Sequence, residues 1–405
     1  MTEKPQIDVT AWPHAAAAAK VLAALAAAGG EGRFVGGAVR DALVQRPVKD
    51  LDIATNLEPA AVMAALTNAG LRGVPTGIEH GTITAIADHV GFEVTTLRHD
   101  LETDGRHAKV AFTDDWQADA ARRDLTMNAL FCDSAGRVYD YFDGVADLLT
   151  GRVRFVGDPA QRMDEDYLRV LRFFRFHADY ALGDFDAAAI AAATLRRQEL
   201  KRLSGERLRQ ETLKLLLARN GVSVWGEMLR LGFAEAYLPQ ATTLDRLAKV
   251  AKLERELGEK PDAIRRLAAL ALTGSGPAIG ETLKLSNAER ARLDLMSAAR
   301  PDFNVDDPHF IRRQIYDLGN ERALDLLLID WGLTQPESAW YRALDIIRRW
   351  PKPTFPLAGR DLLKLGMSAG PDLGARLAEL EAWWIAGDFA ADRAACLEKA
   401  RAMTD

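Results

Sequence analysis

The sequence predicts an α+β protein, a small α/β head followed by a long all-helical neck, body and tail. Two observations carry this. Short β-branched and apolar runs bounded by glycines and turn residues occur up to about Thr150 and nearly vanish afterwards. From Met163 onward the apolar residues recur at helical spacing, Leu168, Leu171 and Phe174 in one segment and Leu208, Leu215 and Leu216 in another. With 405 residues, 48% of them hydrophobic, the chain can bury a large core.

In chain order, the alanine-rich run Ala15 to Ala28 is interrupted by Lys20 and bounded by Pro13 and Gly29-Gly30, as a helix facing water would be. Arg33-Phe34-Val35 reads as a short strand that turns at Gly36-Gly37 into a helix through Leu43, and Asp50 to Ala54 as a second strand. A helix is expected from Pro59, at the favoured first helical position, to a stop at Gly70. Thr82 to Ala87 and Phe92 to Leu97 form an expected hairpin about Asp88-His89-Val90-Gly91. His99 to Ala108 is polar and contains Gly105, which predicts a mobile loop. In the helical part, breaks are expected near Gly183, Ser204-Gly205, Gly274 to Pro277, Pro301, Pro351 to Pro356 and Gly370-Pro371. The expected division is a head at 1–150, a neck at 151–220, a body at 221–350 and a tail at 351–405.

Several function classes are disfavoured. No apolar run approaches the roughly 20 residues that span a bilayer, and the start Met1-Thr2-Glu3-Lys4 lacks the pattern of a secretory signal. Cys132 and Cys396 have no partner at metal-ligand spacing, so they read as buried thiols in a reducing, cytoplasmic setting. The net charge of −6 speaks against a uniformly basic surface. Locally, however, Arg196 to Arg219 holds eight Lys/Arg against three Glu. Such a stretch can serve a phosphate backbone, or it can be an ordinary solvated face.

Three clusters carry chemistry. In Val35-Gly36-Gly37-Ala38-Val39-Arg40-Asp41 the glycines allow a sharp turn and close approach of a phosphate to the backbone, and Arg40 can add a bidentate contact. Asp50 and Asp52 follow, two apart on the expected strand, so their carboxylates share a face. Such a pair suits Mg²⁺, and two such ions would serve in-line phosphoryl transfer. Glu93 reads either as a third carboxylate or as a solvent-facing strand residue. In Arg122-Arg123-Asp124-Leu125-Thr126-Met127-Asn128, the apolar positions would anchor a short helix from whose start Arg123 and Asp124 project, to meet phosphate and ribose or simply a surface ion pair. Finally Asp166, Arg169, Arg172 and Arg175 recur every third residue along an expected helix, interleaved with Leu168, Leu171 and Phe174. One Asp acceptor and one Arg donor match the Watson–Crick edges of cytosine and adenine, which place an amino donor beside a ring-nitrogen acceptor, and mismatch uracil and guanine. A salt-bridged helix face accounts for the charges but not for the fixed triplet spacing.

In this order and at these separations, the clusters resemble class II CCA-adding enzymes and the poly(A) polymerases of the same tRNA nucleotidyltransferase family. The likeness spans roughly Phe34 to Lys214 and includes Thr103-Asp104-Gly105-Arg106-His107 and Leu203-Ser204-Gly205-Glu206-Arg207, with Phe355 to Leu362 and Trp383-Trp384 similar to the family's tail. The resemblance implies a nucleotidyltransferase head and template-independent addition of C, C and A to the 3′ end of tRNA from CTP and ATP. It implies catalytic metals on Asp50 and Asp52, and triphosphate binding by Gly37 and Arg40. Arg123 and Asp124 would meet ribose and phosphates. Asp166 and Arg169 would read the base, with Arg172 and Arg175 supporting them and the triphosphate. The loop at Asp104 to His107 would help the site switch from CTP to ATP, and the tRNA acceptor arm would lie along neck and body. Rivals sharing the motifs are a poly(A) polymerase, a partial CC- or A-adding enzyme, and an inactive RNA-binding relative. His99-Asp100, the only His-Asp pair, lacks the nearby histidines of an appended phosphohydrolase.

Overall fold

The computed structural model describes residues 5–104, 107–300, 303–334 and 338–403. The chain divides into two compact units. One runs to Pro239 and takes in Thr282–Lys284; the other comprises Gln240–Glu281 and the chain from Leu285 onward.

The first unit opens with the sheet-bearing head. Among the described residues, β1 (Gly32–Val35), β2 (Ile53–Thr55), β3 (Arg72–Gly77), β4 (Thr82–Ala87), β5 (Val90–Thr96), β8 (Leu130–Cys132) and β9 (Val138–Asp140) build one sheet in the order β3-β4-β5-β2-β1-β8-β9. β6 (Arg98–Asp104) and β7 (His107–Phe112) pair as a separate antiparallel ribbon. β2 runs parallel to β5, with Ile53 opposite Val94 and Ala54 opposite Thr95.

Alternation along these strands sorts the side chains onto two faces. Phe34, Ile53, Ile83, Phe92 and Val94 pack beneath α1 (Ala15–Ala27), α2 (Gly37–Leu43) and α3 (Pro59–Asn68). Val35, Ala54 and Leu97 face the other way, with Phe131, toward Trp116 and Ala120 of α4 (Trp116–Ala121). That second face is covered only in part, and Asp52 and Glu93 on it remain exposed.

Three expectations need correction. The second strand begins at Ile53 rather than Asp50, because ladder pairing with both neighbours starts there. Asp50 and Asp52 lie in the segment leading into it, where buried Leu51 still alternates between the two exposed aspartates. The hairpin turn consists of Asp88 and His89 alone, both at positive φ (50° and 64°), a primed geometry whose twist matches that of the strands. The expected loop at His99 to Ala108 lies largely in β6 and β7. A polar sequence offers no apolar face to read, yet two such segments can satisfy their backbone groups on each other. Gly105 and Arg106, central to the expected nucleotide switch, lie outside the described residues.

After β9 the first unit is helical: α5 (Gly144–Thr150), α6 (Pro159–Glu165), α7 (Leu168–Tyr180), α8 (Ala187–Arg196), α9 (Gly205–Leu217) and shorter helices. Asp158 starts α6 by accepting from the Gln161 N–H at 2.7 Å, ahead of Pro159 in the first turn. The buried side of α7 presents Phe173 and Phe174 to a cluster with Phe155, Phe185 and Phe233.

The second unit is helical throughout its described residues. It holds two apolar clusters, one around Trp331 and Trp340 and one around Leu380 and Trp384, and a buried polar network. Glu254, with no exposed surface, accepts from Arg265 at 2.9 Å and Arg266 at 2.8 Å. Asp325, equally buried, accepts from Arg265 at 2.9 Å and Arg292 at 2.5 and 2.8 Å. Four helices are thereby cross-linked by charges that have lost their water. No helix among the described residues is long and apolar enough to cross a membrane. Both cysteines are free and buried, and burial with the neighbouring Asp133 pushes the Cys132 thiol up to about 12.

Breaking one partner of a buried ion network leaves the opposite charges without compensation, a loss of about 3–5 kcal/mol. Glu254→Ala is expected to lower the urea midpoint of the second unit accordingly. A variant unfolding with the parent would show that the network contributes no stability.

Candidate active site

The site begins where β1 meets α2. Gly36 has φ 68° and ψ −113°, a backbone that a residue with a Cβ adopts only under strain, and its N–H bonds to the Leu130 carbonyl at 3.0 Å. This lets α2 start at Gly37 and places Arg40 one turn later, 9% exposed. Arg40 donates to Asn128 at 2.6 Å and to Asp41 at 3.0 and 3.2 Å, over the rings of Phe176 and Tyr180.

The second motif follows α4 as an irregular segment, with only a single 3₁₀ turn at Thr126–Asn128 where a short helix was expected. Arg123 and Asp124 do not pair with each other. Arg123 is held by Asp119 at 2.9 Å, while Asp124, 8% exposed, accepts from Arg172 at 2.6 Å and Asn128 at 3.1 Å. Burial would raise the Asp124 pKa, but the Arg172 guanidinium, Asn128 and the Leu125 N–H outweigh it and hold the carboxyl far below the usual range. Asn128, unremarkable in sequence, thus bridges Arg40 and Asp124.

The third motif departs from the expected helical row. Asp166 is extended (φ −160°, ψ 107°) and forms the joint between α6 and α7, so only Arg169, Arg172 and Arg175 lie on the helix. At that joint Asp166 Oδ1 accepts the Leu168 N–H at 3.1 Å and Oδ2 accepts from Arg207 of α9 at 2.6 Å. Each arginine of the row has its own acceptors. Arg169 donates to Glu165 at 2.5 Å and to the Arg162 and Arg122 carbonyls; Arg172 is paired with Asp124; Arg175 donates to buried Glu211 at 2.5 Å. Arg40, Arg172 and Arg175 also surround the Phe176 ring, at 5.0, 5.3 and 4.1 Å from its centroid. Three like charges are thereby kept apart and aimed without contact among themselves.

These parts enclose a cleft of about 360 Å³ lined by Gly36, Gly37, Arg40, Asp52, Arg122, Arg123, Asp124, Asn128, Asp166, Arg169, Arg172 and Phe176. Arg175 is absent from the lining. Asp50 and Glu93 border a second cleft of about 510 Å³, and Asp52 is common to both. Continuing the β2–β5 register by one residue sets Asp52 beside Glu93. Although Asp52 keeps contact with solvent, it stands in a concavity crowded by protein. That crowding, then Glu93 and Asp50, raises its pKa from 3.8 to about 6, against the opposing pull of Arg123. A larger hollow of about 730 Å³, lined by Trp12, Leu43, Arg46 and Leu149, has no comparable convergence of charges.

Among the described residues, no group of three or more His, Cys, Asp or Glu side chains is placed to hold a metal ion. Magnesium does not require one, since one or two carboxylates plus substrate phosphates suffice. Hard carboxylate oxygens under mutual repulsion fit such a cation. Sequence reasoning missed Asn128, Arg207, Glu211 and Phe176 as parts of the site. Arg207, Asn128 and Phe176 all lay inside the noted motifs, Phe176 closing the third, but no role was assigned to them there. The basic stretch Arg196 to Arg219 is divided over α8, a 3₁₀ segment and α9, with Arg196 turned to Asp164 and Arg207 to Asp166.

Residues 32–154 match the poly A polymerase head domain, and residues 187–244 match a domain described as the probable RNA and SrmB-binding site of polymerase A. A Danio rerio relative, CCA tRNA nucleotidyltransferase 1, mitochondrial, is 37% identical over 361 residues, covering 87% of this chain and 83% of its own. The CCA-adding enzyme of Levilactobacillus brevis is 30% identical over 398 residues, 95% of this chain and 96% of its own. Among solved structures, a Bacillus stearothermophilus CCA-adding enzyme in complex with CTP has a TM-score of 0.69 at 25% identity, covering 93% of this chain and 94% of that one. A Thermotoga maritima CCA-adding enzyme complexed with tRNA_CCA shares the fold, with a TM-score of 0.65 at 16% identity over 100% of both chains.

The raised pKa of Asp52 has a consequence for stability. Its folded value, about 6, lies above its unfolded value, 3.8. Between these the folded protein holds more protons than the unfolded chain, so stability falls as pH rises through the window. Without added metal, Asp52→Asn is expected to melt above the parent at pH 8 and together with it near pH 4. A variant melting below the parent at pH 8 would contradict this assignment.

Proposed function

The chain belongs to the CCA-adding family of tRNA nucleotidyltransferases, and from that premise we propose that it adds C, C and A to tRNA 3′ ends from CTP and ATP, releasing pyrophosphate. The observation that carries the reading is the cleft in which Gly37, Arg40, Arg172 and Asp166 converge beside Asp52.

The division of labour would follow the clefts. The Gly37 backbone and Arg40 receive the triphosphate, with Arg123 and Arg172 adding positive charge as pyrophosphate departs. The remaining lone pairs of Asp124 are available to ribose hydroxyls. Asp166 accepts from the amino group that C and A share, and Arg169 donates to the adjacent ring nitrogen. For U and G both contacts become donor-to-donor or acceptor-to-acceptor clashes, which a closed polar site rejects strongly. Arg175 would act indirectly, by holding Glu211 and Phe176 beside the cleft. Magnesium held on Asp50 and Asp52 would activate the attacking 3′-hydroxyl and stabilise the leaving group, with Glu93 as a neighbouring carboxylate. Transfer is direct, since among the described residues no Ser, Cys or His side chain lines the nucleotide cleft to form a covalent intermediate. In this scheme 1–150 is the catalytic head and 151–220 the base-reading neck, with the body at 221–350 and the tail at 351–405 helping to bind the acceptor arm of tRNA. The buried free thiols suit a cytoplasmic setting.

On a tRNA transcript lacking CCA, with magnesium, CTP alone should give two additions and ATP a third only afterwards. Asp50→Ala and Asp52→Ala should abolish extension while retaining the fold. A long ladder from ATP alone would make the chain a poly(A) polymerase; substantial activity in either variant would remove the carboxylates from the chemistry.

Base reading is expected to depend on Arg207 as well as on Asp166. Asp166→Ala should relax selection against UTP and GTP. Arg207→Ala, which frees the carboxylate from its 2.6 Å anchor, should weaken that selection about tenfold, the equivalent of one charge-assisted hydrogen bond of about 1.5 kcal/mol. Unchanged discrimination in single-nucleotide incorporation would place base reading elsewhere.

A further inference from the structure

We infer that the second cleft, which meets the nucleotide cleft at Asp52, is the seat of the single-stranded RNA 3′ end, and that Lys49 and His14 bind the phosphate of its terminal nucleotide. The inference rests on the functional reading above and assigns the other substrate of that reaction.

The two clefts share Asp52 and no other lining residue. In-line displacement requires the attacking hydroxyl to approach the α-phosphate opposite the leaving pyrophosphate. With Gly37, Arg40 and Arg172 gathering the triphosphate in the first cleft, the hydroxyl must arrive from the side of the second. That cleft is lined by His14, Lys49, Asp50, Leu51, Asp52, Val90, Gly91, Phe92 and Glu93, and its volume of about 510 Å³ is in the range of small-ligand sites.

Three carboxylates on one wall repel a phosphodiester, so an RNA end there gains from hydrogen-bond donors that face it, beyond the charge that bound magnesium would supply. The lining supplies two such donors, the Lys49 ammonium and the His14 imidazole. Lys49 is exposed, adjoins Asp50 in sequence, and forms no ion pair with any described residue. His14 is exposed at the start of α1, with a left-handed backbone (φ 60°, ψ 19°) unusual for a residue with a side chain. Elsewhere in the site the arginines are engaged by acids, as Arg172 is by Asp124 and Arg175 by Glu211. Val90, half-buried at the rim of the same hollow, offers apolar surface to a sugar or base.

The test is steady-state kinetics of the full chain on a transcript lacking CCA, with magnesium and CTP, for Lys49→Ala, His14→Ala and the double variant. CTP binding is measured separately without RNA. The double variant should raise KM for the transcript about tenfold. Its dependence on salt should flatten by about 0.7 in log–log slope for each phosphate no longer neutralised. CTP binding should not change, and Lys49→Arg should keep the parental slope. An acceptor KM and salt slope equal to the parent's would overturn the assignment, as would CTP binding weakened to the same degree. A parent protein that extends no transcript would overturn the functional reading, and this subsite with it.

Discussion

The ion pair between Asp124 and Arg172 is the constraint on which the nucleotide cleft depends. Asp124 lies in the segment after α4 and Arg172 on α7, so one 2.6 Å contact joins the sheet-bearing head to the first long helix that follows it. Asp124 surrenders its water while Arg172 stays partly exposed, and the buried carboxylate is tolerated only if its other hydrogen-bonding capacity is met. Asn128 meets part of it and passes the connection to Arg40; on the other side Arg172 stands 3.9 Å from Glu211, which holds Arg175. The chain of contacts from α2 to α9 therefore sets where the triphosphate-facing arginine and the base-facing residues stand relative to each other. Geometry of this kind, built before substrate arrives, is what selection without a template needs.

A second constraint is electrostatic and opposes stability. Asp50, Asp52 and Glu93 are brought close by β2 and β5, and the raised pKa of Asp52 records the cost. The face carrying them is the one the helices leave incompletely covered, whereas the opposite face buries Phe34, Ile53 and Phe92. Burial on one side thus supports a strained, accessible cluster of charge on the other. This pattern is expected where function rather than stability determines residue choice.

Much of this was legible in the residues alone. The α+β outline, the turn at Gly36-Gly37, the alternation of Asp50 and Asp52 about Leu51, and the helix carrying Arg169, Arg172 and Arg175 all follow from local spacing. What escaped was set by distant partners. Asp166 continues a triplet pattern on paper, but the helix breaks there because its carboxylate is taken by the Leu168 N–H and by Arg207, 41 residues later. Asn128 and Glu211 gain importance only when α2, α7 and α9 meet. The β6–β7 ribbon was hidden for a different reason: polar strands that pair with each other leave no periodic apolar signal.

The central claim is that protein side chains, held by this buried chain of contacts, choose the nucleotide. Equilibrium binding of CTP, ATP, UTP and GTP to the RNA-free protein, by calorimetry with magnesium present, tests it most directly. CTP and ATP are expected to bind measurably tighter than UTP and GTP with no RNA in the cell. Four equal affinities, with preference emerging only when tRNA is added, would contradict it and give the reading of the base to the RNA.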